Sequence, residues 1–277
     1  MNTVIANGER AISRGIDSER ASRWVFFGIS GALFAGSAAL TIVWCASMSG
    51  GMPMPGGWMM SMAWMPMCGQ TWPGVAASFL GMWTVMMVAM MLPSLVPTLW
   101  CYRQGVRRTG ETCTVMPTML MGTGYFFVWI AFGVAVVPLG VALTAAEMRW
   151  PALARVVPAA VGVVVLIAGV LQFSAWKARH LECCRAVPGR GCMLAADAGT
   201  AWRYGLRLGL HCSCSCVGLA ASLLAIGIMD LRAMAAVTVA ITAERVTPAG
   251  ERVARAIGAI AVGTGLLLIA NAVCGTT

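Results

Sequence analysis

The sequence predicts an all-α integral membrane protein, a bundle of about seven (six to seven) transmembrane helices with a cytoplasmic N-terminus. Three observations predict it. Hydrophobic residues make up 59% of the 277-residue chain and charged residues 10%, more apolar surface than a water-soluble domain of this size uses. Several runs reach the roughly 20 apolar residues that a helix needs to cross a bilayer. The basic residues are segregated between alternate loops, as membrane topology demands. Backbone polar groups in lipid must be satisfied within each segment, so the spans are expected to be helical.

Residues 1–23 are polar and bear Arg10, Arg14, Arg20 and Arg23, which predicts a cytoplasmic tail ahead of a retained membrane anchor. Residues 24–277 form one transmembrane domain, with spans expected at 24–44, 75–99, 117–143, 157–176, 206–228, 231–246 and 256–273. The sixth is short, and in a six-span arrangement it becomes a re-entrant piece. Between the first two spans lies an uncharged outer loop, 45–74, whose glycines and prolines (Gly50, Gly51, Pro53, Pro55, Gly56, Gly57) argue against helix. The inner segments are 100–116, the cysteine-containing loop 177–205, and 247–255, broken by Pro248 and Gly250. Of the 19 Lys and Arg residues, only Arg149, Arg155 and Arg232 fall outside in this arrangement, a strong positive-inside bias. The net charge of +9 is therefore read as a topology signal. The arginines are scattered over several loops with no basic stripe, so no nucleic-acid partner is expected. A bacterial inner membrane is the expected location.

No phosphate loop, dinucleotide fingerprint, internal repeat, Ser/His/Asp set or pair of carboxylates in a pocket is evident, which argues against an enzyme. The chain has only two histidines. A bis-histidine haem would need both His180 and His211, which the span assignment places at different depths.

Methionine is the outstanding feature. Met48, Met52, Met54, Met59, Met60, Met62, Met65 and Met67 fall within the outer loop, and Met82, Met86, Met87, Met90 and Met91 follow on the second span. Together they are thirteen of the 21 methionines. Thioether sulfur is a soft, uncharged ligand suited to Cu(I). Unlike cysteine, it forms no disulfides on an oxidising face. On the second span Met82, Met86 and Met90 share one stripe, with Trp83, Met87 and Met91 beside it. The set covers half the helix, too wide for one pore, so some must simply pack, as methionine commonly does. Cys45 and Cys68, at the ends of the outer loop, are candidates for a disulfide.

The densest cluster is His211-Cys212-Ser213-Cys214-Ser215-Cys216 within the fifth span. Cys212 and Cys216, four apart, share a helical face, and His211 and Cys214 form another. One helix cannot aim all four at one ion. Two of them with a ligand from a neighbouring helix can make the low-coordinate site that Cu(I) accepts, and ionisable groups in a membrane segment are functional candidates by default. If the second and fifth spans are neighbours, a mixed Met/Cys site is possible. His180, Cys183 and Cys184, with Cys192 further on, mark a further candidate site for zinc or for copper hand-off in the inner loop. Glu244 with Arg245, and Asp230 with Arg232, read as ion pairs or interface anchors near helix ends.

Several motifs in order resemble a known family. Gly81-Met-Trp-Thr-Val-Met-Met-Val-Ala-Met-Met-Leu-Pro-Ser94 resembles the W-x-x-M-M-x-A-M-M-x-P segment of a family of predicted metal-binding integral membrane proteins. That family was long catalogued as a domain of unknown function. Leu171 to Lys177, then Cys183-Cys-Arg185 and Pro188, are similar to its Q-x-T-x-x-K…C-x-x-x-C-R-x-P stretch. Gly209 to Cys216, Gly227-Ile-Met-Asp230 and Glu244-Arg-Val-Thr-Pro248 resemble its cysteine-rich helix and the elements after it. The likeness spans roughly residues 79–270. Family members are described as copper chaperones, some linked to copper supply for a secreted polyphenol oxidase, so the resemblance implies copper handling. The family's C-x-x-C-C followed by W-x-L-M is altered here. Ser215 replaces one of the paired cysteines, Cys214 is added, and Val217-Gly218-Leu219-Ala220 follows. Cys212 and Cys216 carry over, and Cys214 does not.

The sequence thus predicts a Cu(I)-binding membrane protein that captures copper through its methionine loop and holds it in a Met/Cys site. From there it would deliver the ion to a cuproenzyme or a partner chaperone. The rivals are a Cu(I) permease, a redox or accessory subunit of a membrane copper enzyme, and a purely structural subunit.

Overall fold

A computed structural model describes residues 2–47, 52–54, 58–60, 64, 71–110, 114–186 and 197–274. The described residues form eight helices and one two-residue ladder. The helices are α1 (Asn2–Ser47), α2 (Trp72–Arg108), α3 (Val115–Arg149), α4 (Pro151–Leu171), α5 (Ala175–Arg185), α6 (Ala198–Ile226), α7 (Leu231–Val246) and α8 (Gly250–Cys274). Six of them, α1 from Glu19 onward, α2, α3, α4, α6 and α8, are long and apolar enough to cross a membrane. The expected sixth span, 231–246, coincides with α7, whose 16 residues are too few to belong with the six. At about 1.5 Å per residue it covers some 24 Å, short of the hydrocarbon core.

Local chemistry sets the boundaries. Thr71 caps α2 by accepting from Gly74 N, with a proline in the first turn. Asp197 accepts from Thr200 N at the start of α6. Asp230, expected to pair with Arg232, instead accepts from the backbone N–H groups of Arg232 and Ala233 and caps α7, satisfying donors that a helix start leaves open. Gly227, at φ +137°, makes the turn between α6 and α7 that a side chain would strain.

The fourth span departs most from expectation. It was expected at 157–176, but α4 ends at Leu171 and the chain turns through Gln172 to Ser174. Ser174 then caps a new helix, accepting from Lys177 N at 3.1 Å. The first part of the expected inner loop 177–205 is therefore the helix α5, packed against α6 and α7. The expected N-terminal tail, 1–23, is likewise helical from Asn2, continuous with the anchor.

Small residues let the helices approach. A Cβ on Gly124 of α3 would meet Trp202 O of α6 at 2.8 Å, and one on Gly209 would meet Tyr125 O at 2.9 Å. Gly162 and Gly169 of α4 face Gly265 and Gly258 of α8 in the same way. Without water to drive helices together, close backbone packing at small residues holds such bundles. α6 packs on α3, α4, α5 and α7, whereas α2 packs on α1, α3 and α7. The two predicted site helices meet chiefly through α3 and α7.

In the outer loop the ladder pairs Met52 with Met60 and Pro53 with Met59. Trp58 Nε1 donates to Ala154 O at 2.9 Å, tying the hairpin to α4. Trp64 packs against Phe79 of α2, with ring centroids 4.6 Å apart and the planes tilted by 35°. Met48, Met62, Met65, Met67, Cys68 and Cys192 lie outside the described residues.

Candidate metal centre

The cysteine helix behaves as its spacing predicts. Cys212 and Cys216 are buried on one face of α6, while His211 and Cys214 are half-buried on another. The sulfurs of Cys212 and Cys216 lie 3.9 Å apart. A third thiol comes from α5, where Cys184 is in hydrogen-bonding contact with Cys212 and is itself buried. With metal–thiolate bonds of about 2.3 Å, the 3.9 Å separation sets an S–metal–S angle of about 116°. That bent bite leaves room for a third ligand, and Cys184 stands beside it. Among the described residues no group of three His, Cys, Asp or Glu side chains is closed into a ready-made cage.

The surroundings suit negative sulfur. Tyr125 of α3 donates its hydroxyl to Cys212 Sγ at 3.0 Å. Arg245 of α7 reaches the same sulfur at 3.4 Å, and its Nη1 also donates to Tyr125 at 3.3 Å and to Ser94 of α2 at 3.0 Å. Its other terminal nitrogen, Nη2, is buried with no hydrogen-bond partner among the described residues. A buried guanidinium with an open donor beside three thiols matches a site whose charge turns more negative as thiolates gather on a monovalent ion. Arg245 was expected to be an ion-pair or interface residue, but it lies inside the site.

A second charged network braces the same stretch of α6. Lys177 of α5 pairs with Glu244 of α7 at 2.6 Å, and both side chains are buried. Lys177 also donates to Ser215 O at 2.7 Å, and Gln172 donates to the other oxygen of Glu244 at 3.0 Å. The ion pair therefore grips the backbone carbonyl immediately before Cys216.

The histidines overturn an expectation. Placed at different depths by the span assignment, His180 and His211 are in fact neighbours, their Nδ1 atoms 3.1 Å apart. The reason is α5. It continues from α4 along α6 and sets residues 177, 180 and 184 against 215, 211 and 212. Burial, His211 and Arg179 hold the His180 ring below the usual imidazole range. The hydrogen bond with Cys212, together with burial, pushes the Cys184 thiol up. Cys183 is exposed and faces away from this cluster.

The methionines divide. Met86, Met87, Met90 and Met91 are all buried in the same apolar core as Cys184, Cys212 and Cys216. Arg245, hydrogen-bonded to Ser94 of α2, also reaches Cys212 and so links α2 to the thiols. Near the end of α1, Cys45 Sγ lies 3.8 Å from Met229 Sδ in the turn after α6, and its expected partner Cys68 lies outside the described residues. Of the loop methionines, Met52 is exposed and Met54 half-buried.

Sequence reasoning missed Tyr125, Ser94 and the part played by Arg245. Arg245 had a readable signal, since an adjacent Glu-Arg pair in an otherwise apolar helix is a functional candidate wherever it occurs. Tyr125 and Ser94 had none.

Fold and site together define a class: a helical protein able to cross the membrane several times, with thiols buried beside a cation. The chain belongs to the PpoB2 family, a copper chaperone family, whose pattern matches residues 80–268, from within α2 into α8. No curated protein and no solved structure matches it.

Proposed function

We propose that this chain is a Cu(I) chaperone of the bacterial inner membrane that holds its ion on Cys212 and Cys216, with Cys184 as third ligand. The observation that carries this reading is the buried pair of sulfurs 3.9 Å apart with a third thiol in contact. Thiolates select soft ions, and Cu(I) accepts two or three of them where zinc in structural sites asks for four ligands. Arg245 offsets the charge of the loaded site. In this reading the methionine hairpin, Met52, Met54, Met59 and Met60 with Met62, Met65 and Met67, gathers copper on the outer face. The buried methionines of α2 line the core between loop and thiols. The N-terminus lies in the cytoplasm, as the arginine bias of the loops supports. Delivery to a cuproenzyme or partner chaperone proceeds by exchange among ligands of similar softness, and no bond in a substrate is broken. Cys214 and Cys183 take no part in the thiol site.

The test is copper retained after anaerobic loading with Cu(I) and gel filtration. The wild type is expected to keep tightly bound copper that Cys212→Ser/Cys216→Ser loses, whereas changing the loop methionines to leucine slows loading and leaves the bound amount intact. Equal retention by the cysteine variant would overturn the assignment.

A permease is the second reading. It is favoured by the sulfur pair Cys45–Met229 at one end of the bundle and the thiols towards the other, joined by the buried methionines of α2. Copper flux into sealed vesicles decides between the two, since a chaperone requires none.

A further inference from the structure

The proposed thiol site has a problem of access. Cys212, Cys216 and Cys184 are at most 2% exposed, so no ligand of a partner protein can touch those sulfurs directly. Exchange needs a more accessible station nearby. Both histidines are half-buried, and they sit where α5 crosses α6. Their rings are 5.4 Å apart at an interplanar angle of 41°, with Trp176 edge-on to His180 at 4.7 Å.

The bite is a usable one. With metal–imidazole bonds of about 2.0 Å, Nδ1 atoms 3.1 Å apart subtend about 100° at a shared ion. One Nδ1 now donates to the other. For both to ligate, that shared proton moves to Nε2 of its own ring, the alternative neutral tautomer, with no net release. An angle near 100° leaves one or two coordination positions open, which a station for exchange requires.

The placement is equally specific. His180 and Cys184 are four apart on one face of α5, and His211 immediately precedes Cys212 on α6. Cys184 and Cys212 touch across the same helix pair, so α5 and α6 carry two rungs, one of imidazoles and one of thiols. On α5 the two stand one helical turn apart, roughly 5–6 Å between Cβ atoms, while on α6 they are consecutive and lie on adjoining faces. We infer that Nδ1 of His180 and Nδ1 of His211 form a second copper site, the open station through which the ion reaches or leaves the buried thiols. It rests on the reading of those thiols as the copper store. Imidazole is a harder ligand than thiolate, so the thiols hold the ion and the histidines pass it on.

The chain's two histidines are the only ones in the molecule, so an imidazole-directed reagent reports on this pair alone in protein purified without a histidine tag. The experiment treats copper-free and Cu(I)-saturated protein anaerobically with diethyl pyrocarbonate and reads both rings by mass spectrometry. Alongside it, His180→Gln is measured for copper bound at saturation and for the rate of transfer to a chromogenic Cu(I) chelator. The expected result is loss of modification at both rings on copper loading, one ion fewer in His180→Gln, and slower transfer. Equal modification of loaded and empty protein, with copper retained, overturns the inference and leaves the thiol site standing. If neither ring reacts in either state, an unchanged copper count in His180→Gln overturns it. Protection that persists in a Cys184, Cys212 and Cys216 to serine variant, with the copper count undiminished, keeps the histidine site and removes the thiol reading. Failure of the wild type to take up copper removes both.

Discussion

Arg245 carries the chemistry that distinguishes this site from a chance cluster of cysteines. Its guanidinium joins three helices at one sulfur through Ser94, Tyr125 and Cys212. A hydrogen bond to a charged group contributes about 1.5–3 kcal/mol, so Arg245→Gln is expected to weaken Cu(I) affinity by roughly 10- to 150-fold. Competition against a chromogenic Cu(I) chelator checks it. An affinity unchanged within twofold would show that the cation is not felt by the loaded site. The pair Lys177–Glu244 is a different case, because it braces α6 without touching a thiol. Removing one partner of a buried pair leaves an uncompensated charge and costs about 3–5 kcal/mol. Lys177→Met should therefore lower the midpoint of unfolding in detergent sharply, and Lys177→Met with Glu244→Leu should restore most of it. A double variant as unstable as the single one would contradict the ion-pair account. At this scale the cysteines and histidines were legible as ligand types, and the helical spacing correctly separated Cys212 and Cys216 from His211 and Cys214. Arg245 was read as an anchor because a helix-end arginine ordinarily is one. Only the tertiary packing of α7 shows that its end points inward.

Among the elements, α5 decides what the site contains. It supplies Cys184, His180 and Lys177, and the sequence read its residues as loop. Its polar face and its eleven residues gave no span-like signal, and the break before it depends on Ser174 acting as a cap. The apolar helices were legible because membrane burial writes a long uninterrupted run into the chain. A short helix packed at the edge of such a bundle writes none. Which helices are neighbours was not legible either. Whether α2 and α6 are neighbours was left open by the sequence, and α3 and α7, each packed on both, lie between them. The α3–α6 crossing can be tested by itself. A Cβ on Gly205 would press on Met121 O, whereas one on Gly122, also in α3, would meet nothing within 4 Å. Overpacking of this kind costs about 1–3 kcal/mol. Gly205→Ala is expected to lower stability and loosen the Tyr125–Cys212 contact, with Gly122→Ala neutral in the same unfolding assay. Equal stabilities would mean that the helices are not held so closely at Gly205.

For the whole molecule, chemistry is graded along the bundle. Methionine and one cysteine–methionine pair stand at the end that carries the hairpin, buried methionines follow on α2, and thiols with imidazoles beside them lie beyond. In the proposed reading, neutral soft groups give way to thiolates with imidazoles beside them, an order that suits gathering, holding and releasing a soft ion by ligand exchange. The family assignment agrees with copper handling. The most direct measurement is X-ray absorption at the copper edge of protein loaded with less than one equivalent of Cu(I). The account predicts a first shell of two or three sulfurs at about 2.3 Å that disappears in Cys212→Ser/Cys216→Ser. A first shell of nitrogen or oxygen alone, or a sulfur shell that survives the loss of both cysteines, would contradict it.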